Sequence, residues 1–119
     1  MKINFNKDMS METLSVEQIA IASTILETIA DMNGHNDKYP ISGGGCKAFY
    51  TPDEWLDRGE DYGTRSKLIV CHDGGDLLPY FSYDGTDYGR SERMEEALEK
   101  LGYYAEQCTC WYTAIYPID

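Results

Sequence analysis

Residues 66–72, SKLIVCH, constrain the fold more than any other stretch, because their β-branched centre is almost continuously apolar. A strand without a polar side needs cover on both faces, so we predict a central strand here. The turn-like residues 73–76, DGGD, then predict a hairpin whose second strand is formed by residues 77–83. Pro79 in that second strand lacks an amide donor and is expected at an edge or at the strand start.

The longest helix signal covers residues 15–32. Ser15 followed by Gln18 is a capping box, and Asn33-Gly34 supplies a stop. Apolar residues at spacings of three and four predict one inward face: Val16, Ile19, Ala22, Ile25, Leu26, Ile29 and Met32.

Two further helices are predicted. Thr51 as N-cap, with Pro52 at the first helical position, predicts a short helix over residues 52–58. Residues 89–101 form a second amphipathic helix, which Gly102 closes. Its inward-facing residues are Met94, Ala97, Leu98 and Leu101.

Two more strands complete the pattern, over residues 46–50 and residues 108–118. The order α-β-(α)-β-β-α-β predicts a single α+β domain spanning residues 1–119, with residues 1–13 as a loose arm. We expect a mostly antiparallel sheet of about four strands, with two main helices packed on one face. In the last strand, alternation places five residues on one face: Cys108, Cys110, Tyr112, Ala114 and Tyr116.

The net charge limits the classes of partner that the chain can bind. The chain has 119 residues, of which 21 are acidic and 10 basic, so the net charge is −11. Such a chain repels phosphate, which argues against direct nucleic-acid binding and against an anionic membrane surface. Solubility alone explains many acidic proteins. The alternative is a basic protein partner, such as a nucleic-acid-binding protein whose groove the acids occupy.

The start, MKINFNKDMSMETLS, lacks the apolar region of a signal peptide, and no segment approaches the roughly 20 apolar residues of a spanning helix. We therefore expect a cytoplasmic protein. In that compartment its four cysteines are expected to be thiols: Cys46, Cys71, Cys108 and Cys110.

Acidic residues gather in two stretches. Five lie within residues 53–61, with only Arg58 against them, and four more lie within residues 73–87. Because strand ends and helix starts often meet at one rim of an α+β domain, we predict that the two clusters form one surface. Two other interpretations stay open, which are ordinary Asp-Gly turn chemistry and a solvated face.

Tyrosines accompany the second acidic stretch. Tyr80, Tyr83 and Tyr88 lie beside the turn aspartates. A ring face and a neighbouring carboxylate together suit an arginine of a partner, since the ring takes the guanidinium plane and the carboxylate its N–H groups. Ordinary sheet tyrosines are an equal alternative.

Metal and catalytic patterns find little support. A calcium loop starting at Asp84 would place Tyr88 at a ligand position, and the cysteine spacing does not match paired zinc ligands. Cys71 and His72 would point to opposite faces of a strand, which excludes a nucleophile–base pair between them. We predict no cofactor and no enzymatic activity.

The stretches DEWLDRGED and HDGGDLLPYFSYDGTD, in a small acidic α+β chain, resemble the phage- and plasmid-encoded inhibitors of bacterial defence of the anti-CRISPR and antirestriction type. The resemblance implies a stoichiometric inhibitor that acts in the host cytoplasm and occludes a basic groove, by mimicry of nucleic acid. The alternatives are an immunity protein for a basic nuclease toxin and a small metal- or small-molecule-binding domain. The predicted partner-binding residues are Asp53, Asp57, Glu60, Asp61, Asp73, Asp76, Tyr80, Tyr83, Asp84, Asp87 and Tyr88.

Overall fold

The structure is a computed structural model, which describes residues 14–32, 48–72, 78–81, 88–109 and 111–118. All the strands pair antiparallel, in one four-stranded sheet of order β1-β2-β4-β3, and with its two long helices this sheet confirms the predicted α+β class. The elements are α1 (Val16–Met32), β1 (Phe49–Tyr50), α2 (Pro52–Asp57), β2 (Leu68–Cys71), α3 (Leu78–Phe81), α4 (Tyr88–Leu101), β3 (Tyr103–Gln107) and β4 (Tyr112–Pro117).

The central position of β2 is confirmed. It pairs with β1 on one side, where Phe49 lies opposite Val70, and with β4 on the other. All of its residues are buried. Leu68 and Val70 join the core under the long helices, whereas Ile69 and Cys71 join a second core on the opposite face of the sheet. The apolar run therefore reflects cover on both faces.

The long helices form one layer. At the start of α1, the Ser15 N–H donates to Gln18 Oε1 at 2.8 Å and the Gln18 N–H donates to Ser15 Oγ at 3.2 Å, so the capping box forms as predicted. The apolar periodicity overestimates the buried stripe at the helix ends, since Val16, Ile19 and Leu101 are exposed. The core between α1, α4 and the sheet includes Ile21, Ile25, Leu26, Ile29, Phe49, Met94 and Leu98.

The short helix α2 covers the other face of the sheet. Thr51 caps it as predicted, and the Glu54 carboxylate returns the hydrogen bond by accepting from the Thr51 N–H at 3.0 Å. Trp55 on this helix is 0% exposed. It packs in a core with Tyr50, Ile69, Cys71, Tyr112 and Ala114.

The predicted strand over residues 77–83 is wrong. Within the described residues this segment contains α3, a single turn of helix, and not the second strand of a hairpin with β2. Both edges of β2 are already paired with β1 and β4, so no position remains for a third partner. Pro79 fits a short helix because the first turn leaves amide groups unbonded in any case.

The C-terminal region is a hairpin of β3 and β4, of which only the second strand was predicted. β4 begins at Tyr112, so Cys108 lies in the connection and not in the strand. Within β4 the predicted alternation holds, since Tyr112 and Ala114 face the core under α2 and Ile115 faces the long helices.

The thiol prediction is wrong for Cys71, which is disulfide-bonded. Cys108 is a free thiol, as predicted. Among the helices of the described segments, none has the length and apolar character to cross a membrane.

Candidate functional site

The predicted acidic residues that the structure describes lie together on α2 and the loop after it. Asp53 and Asp57 stand one helical turn apart, and Asp61 follows in the loop. All three are exposed, and no lysine or arginine of the described part of the chain pairs with them. We call residues 53–61 the acidic segment.

Arg58 is the one basic residue of the acidic segment, and it is held by aromatic rings. Its guanidinium carbon lies 4.7 Å from the Trp55 ring centroid, 5.4 Å from that of Tyr50 and 6.0 Å from that of Trp111. Its Nε lies 3.6 Å from Glu60 Oε2. The positive charge of Arg58 is therefore committed to this cluster and to Glu60, and it does not pair with Asp53, Asp57 or Asp61.

The rings under Arg58 form one packed group. The Trp55 ring centroid lies 4.9 Å from that of Tyr50, 4.8 Å from that of Tyr112 and 5.5 Å from that of Trp111. The rings come from β1, α2, β4 and the connection before β4, so they join the acidic segment to three parts of the chain. Such offset and edge contacts hold the α2 backbone in place beyond what apolar burial alone provides.

Gly63, two residues after the acidic segment, brings the loop close to the sheet. Its φ is +81°, in the left-handed region. A Cβ at this position would lie 2.8 Å from Ile69 Cδ1, 3.1 Å from Ala114 Cβ and 3.6 Å from Cys108 Sγ. Only glycine permits this close approach without displacement, and it brings the loop against β2, β4 and the β3–β4 connection.

A second aromatic and acidic group lies on the same face of the sheet, beyond Cys108. The rings of Tyr104 on β3 and Tyr116 on β4 stack with centroids 5.5 Å apart and planes 22° apart. Glu106, two residues along β3 from Tyr104, is exposed on the same side of the strand. We call Tyr104, Glu106 and Tyr116 the tyrosine–glutamate patch.

The charge of Glu106 affects the pKa values of the neighbouring Tyr116 and Cys108. Burial raises the pKa of Tyr116, and the negative charge of Glu106 raises it further. Burial likewise raises the pKa of Cys108, and Glu106 adds to this effect. Cys108 therefore stays a neutral thiol at pH 7, and its Sγ lies 3.6 Å from the backbone oxygen of Glu106 in the patch.

The remaining predicted partner-binding residues are either buried or outside the described part of the chain. Tyr80 is only 4% exposed, because it packs into the core under the long helices, so it is withdrawn as a contact residue. The guanidinium over its ring, at 5.6 Å, is that of Arg90 in the same chain. Six of the predicted residues lie outside the described residues or side chains, and their roles stay predictions: Asp73, Asp76, Tyr83, Asp84, Asp87 and the side chain of Tyr88.

Acidic residues on α4 provide a contrast. Glu92, Glu96 and Glu99 are exposed on the opposite side of the sheet from the acidic segment. Arg93 and Lys100 lie on the same helix at spacings of three and four from Glu96, so this group is interleaved with basic residues. Of these two described groups, the acidic segment is the one whose exposed aspartates lack a basic partner.

The residues of the alternative metal or small-molecule site are structural in the described part of the chain. His72 is buried, shares a 2.9 Å hydrogen bond with Thr113 and stacks on Phe81. The described residues contain no group of three or more potential metal ligands. An open groove of about 610 Å³ lies between the starts of α1 and α2, but Ser15, Gln18 and Thr51 in its lining already serve as caps.

Sequence reasoning missed the tyrosine–glutamate patch, because β3 was not predicted. The available signal was the alternation in Tyr103–Gln107 directly after a helix-closing glycine, with Tyr104 and Glu106 on one side. Comparisons of the chain with protein-family models, with curated proteins and with solved structures find no match.

Proposed function

We propose that this protein is an acidic inhibitor that binds a basic, nucleic-acid-binding surface of a target protein and occludes it. The observation that supports the proposal is the state of the acidic segment. Asp53, Asp57 and Asp61 are exposed without a basic partner in the described residues, while the neighbouring Arg58 is held by Trp55. These carboxylates are free to pair with lysines and arginines that otherwise hold phosphates.

The proposed mechanism is competition. A nucleic-acid groove gains affinity by neutralising phosphates, and carboxylates placed on the same basic residues prevent that contact. Attraction between a chain of charge −11 and a cationic groove also speeds the encounter. The target class that the sequence resemblance implies is a bacterial defence enzyme, and a basic nuclease toxin fits the same electrostatics.

The experiment uses purified restriction endonucleases, CRISPR effector complexes and basic nuclease toxins, and it measures displacement of DNA from each by the full chain. For a target that responds, the variant Asp53→Lys/Asp57→Lys/Asp61→Lys is compared with Glu92→Lys/Glu96→Lys/Glu99→Lys. Both variants change the net charge from −11 to −5, so the comparison isolates location from total charge. Circular dichroism verifies that both fold.

We expect the acidic-segment variant to lose at least about 100-fold in affinity and the α4 variant to lose less than about 5-fold, because close charge pairs at interfaces are worth more than distant ones. Binding should also weaken as salt rises from about 50 to 200 mM. Equal losses in the two variants would contradict this placement of the interface, and failure to displace DNA from every class of target would contradict the function. A cytoplasm is reducing, so the assay is run with Cys71 both oxidised and reduced.

A further inference from the structure

We infer that the tyrosine–glutamate patch is a receptor for an arginine side chain of the partner, with the guanidinium on the exposed ring of Tyr104 and its N–H groups donating to the Glu106 carboxylate. The inference rests on the proposed function, because it presupposes a basic partner, and it adds which basic residue the partner presents. It also extends the proposed interface from the acidic segment to the edge of the sheet formed by β3.

The same face of the sheet already shows what such a combination binds. Arg58 lies over the rings of Trp55, Tyr50 and Trp111, and it forms an ion pair with Glu60. Aromatic rings beside a carboxylate therefore hold a guanidinium within this molecule. The tyrosine–glutamate patch repeats that composition with Tyr104, Tyr116 and Glu106, but no lysine or arginine of the described segments lies on it.

The exposure of the patch leaves room for the guanidinium. Tyr104 is 43% exposed, while Tyr116 behind it is half-buried. A guanidinium between the two rings would need a separation of roughly 7 Å, since each stacked pair of planes requires about 3.5 Å. The observed centroid distance is 5.5 Å, so the binding position is the outer face of Tyr104, with Tyr116 supporting that ring from behind.

The charge of the site selects a cation. Glu106 is exposed, and its charge reaches Tyr116 and Cys108. The acidic segment lies on the same side of the sheet, where Gly63 brings its loop against Cys108. An approaching basic surface would meet both groups together, so the patch and the acidic segment are expected to act on one partner.

Arginine fits this site better than lysine. A guanidinium is planar, is weakly hydrated and can stack on a ring while its N–H groups reach a carboxylate, whereas an ammonium is a compact and strongly hydrated point charge. The ring contact alone predicts a preference of about 2- to 5-fold at an exposed site.

The test compares the full chain for binding to an oligoarginine and an oligolysine peptide of equal length, by fluorescence anisotropy of the labelled peptides. The wild-type chain should prefer oligoarginine by about 2- to 5-fold. Tyr104→Leu should abolish the preference and Tyr104→Phe should keep it, because the ring face is lost in the first variant and remains in the second. Glu106→Gln should reduce the preference, because the hydrogen bonds that orient the guanidinium on the ring weaken. Asp53→Asn/Asp57→Asn/Asp61→Asn should weaken both peptides and leave their ratio unchanged.

The outcomes separate the inference from the proposed function. Equal, salt-sensitive binding of the two peptides to the wild-type chain would overturn the arginine site and leave the acidic inhibitor standing. Binding of neither peptide would overturn both. Sedimentation of the wild type and of Tyr104→Leu tests the other occupant, a second copy of the chain. A wild-type dimer that Tyr104→Leu converts to monomer, without any arginine preference, would overturn the inference. Glu106→Gln keeps the test valid if Tyr104→Leu fails to fold, because it is nearly isosteric.

Discussion

Replacement of Gly63 by alanine should destabilise the fold more than replacement of Gly59, although both glycines lie in the same loop with nearly the same backbone conformation. Their φ angles are +81° and +85°. A Cβ on Gly59 would meet nothing within 4 Å, whereas one on Gly63 would lie 2.8 Å from Ile69 Cδ1 and 3.1 Å from Ala114 Cβ. The pair therefore separates the conformational cost of alanine from the cost of crowding.

The magnitudes follow from these two costs. A left-handed conformation costs an alanine about 1–2 kcal/mol, and the reduced entropy of the unfolded chain offsets about 0.4–1 kcal/mol of that. Gly59→Ala should therefore lower the free energy of unfolding by about 1 kcal/mol. Overpacking adds about 1–3 kcal/mol at Gly63, so Gly63→Ala should lower it by about 2–4 kcal/mol.

Urea denaturation followed by circular dichroism measures both variants, with an unchanged m-value expected for each. Ile69→Val provides the decisive control, because it removes only the Cδ1 atom that the new Cβ would meet. Alone it should cost about 0.5–1.5 kcal/mol, and in the Gly63→Ala background it should cost less or stabilise. Equal stabilities of Gly59→Ala and Gly63→Ala, or the same cost of Ile69→Val in both backgrounds, would refute the close approach of the loop to the sheet.

Two further predictions concern single charged groups. Asp57→Asn should raise the free energy of unfolding by about 0.3–1 kcal/mol, as measured by thermal denaturation, because the charge of Asp57 is unfavourable at the C-terminal end of α2 and repels Asp53 one turn away. Asp53→Asn serves as the control and should not raise it, because this variant also removes a favourable negative charge from the N-terminal end of the helix. The hydrogen bond from the Tyr103 hydroxyl lowers the pKa of Glu17 below its ordinary 4.5 and raises the pKa of Tyr103 above its ordinary 10.0. A lowered carboxyl pKa contributes stability that is complete above pH 4.5 and is lost as pH falls through the folded pKa, and a raised phenol pKa contributes stability that is complete below pH 10.0 and is lost as pH rises through the folded pKa. The stability deficit of Tyr103→Phe should therefore be largest between these two pH values and should disappear as pH falls through the folded pKa of Glu17. Thermal midpoints of both proteins measured across pH test this, and a pH-independent deficit would contradict it.

Local signals predicted the parts of the fold that local interactions determine. The capping residues Ser15 and Thr51 each receive their reciprocal hydrogen bond within three residues, so sequence spacing was enough to place both helix starts. The apolar run of β2 likewise predicted a covered central strand, because cover on both faces leaves a direct trace in the residue pattern.

Pairing partners could not be predicted in the same way. The segment around Pro79 follows β2 closely and looks like its hairpin partner, yet β2 pairs with β4, more than thirty residues later in the chain. Which strand occupies an edge depends on competition across the whole sheet, and no local pattern records that competition. The patch on β3 was missed for the same reason, since Tyr104 and Tyr116 meet only when the β3–β4 hairpin forms.

For the proposed function, the contacts of Arg58 are where the expectation from sequence and the structure differ most. By sequence, Arg58 lies between Asp57 and Glu60 and should neutralise part of the acidic segment. In the structure its charge is drawn toward the rings of Trp55 and Trp111, and its one described ion pair is with Glu60. Asp57 is left exposed at the C-terminal end of α2, where its negative charge is expected to lower stability. A local arrangement that opposes stability is expected where a residue serves binding, and the exposed Asp57 agrees in this respect with the proposed contact to a cationic partner.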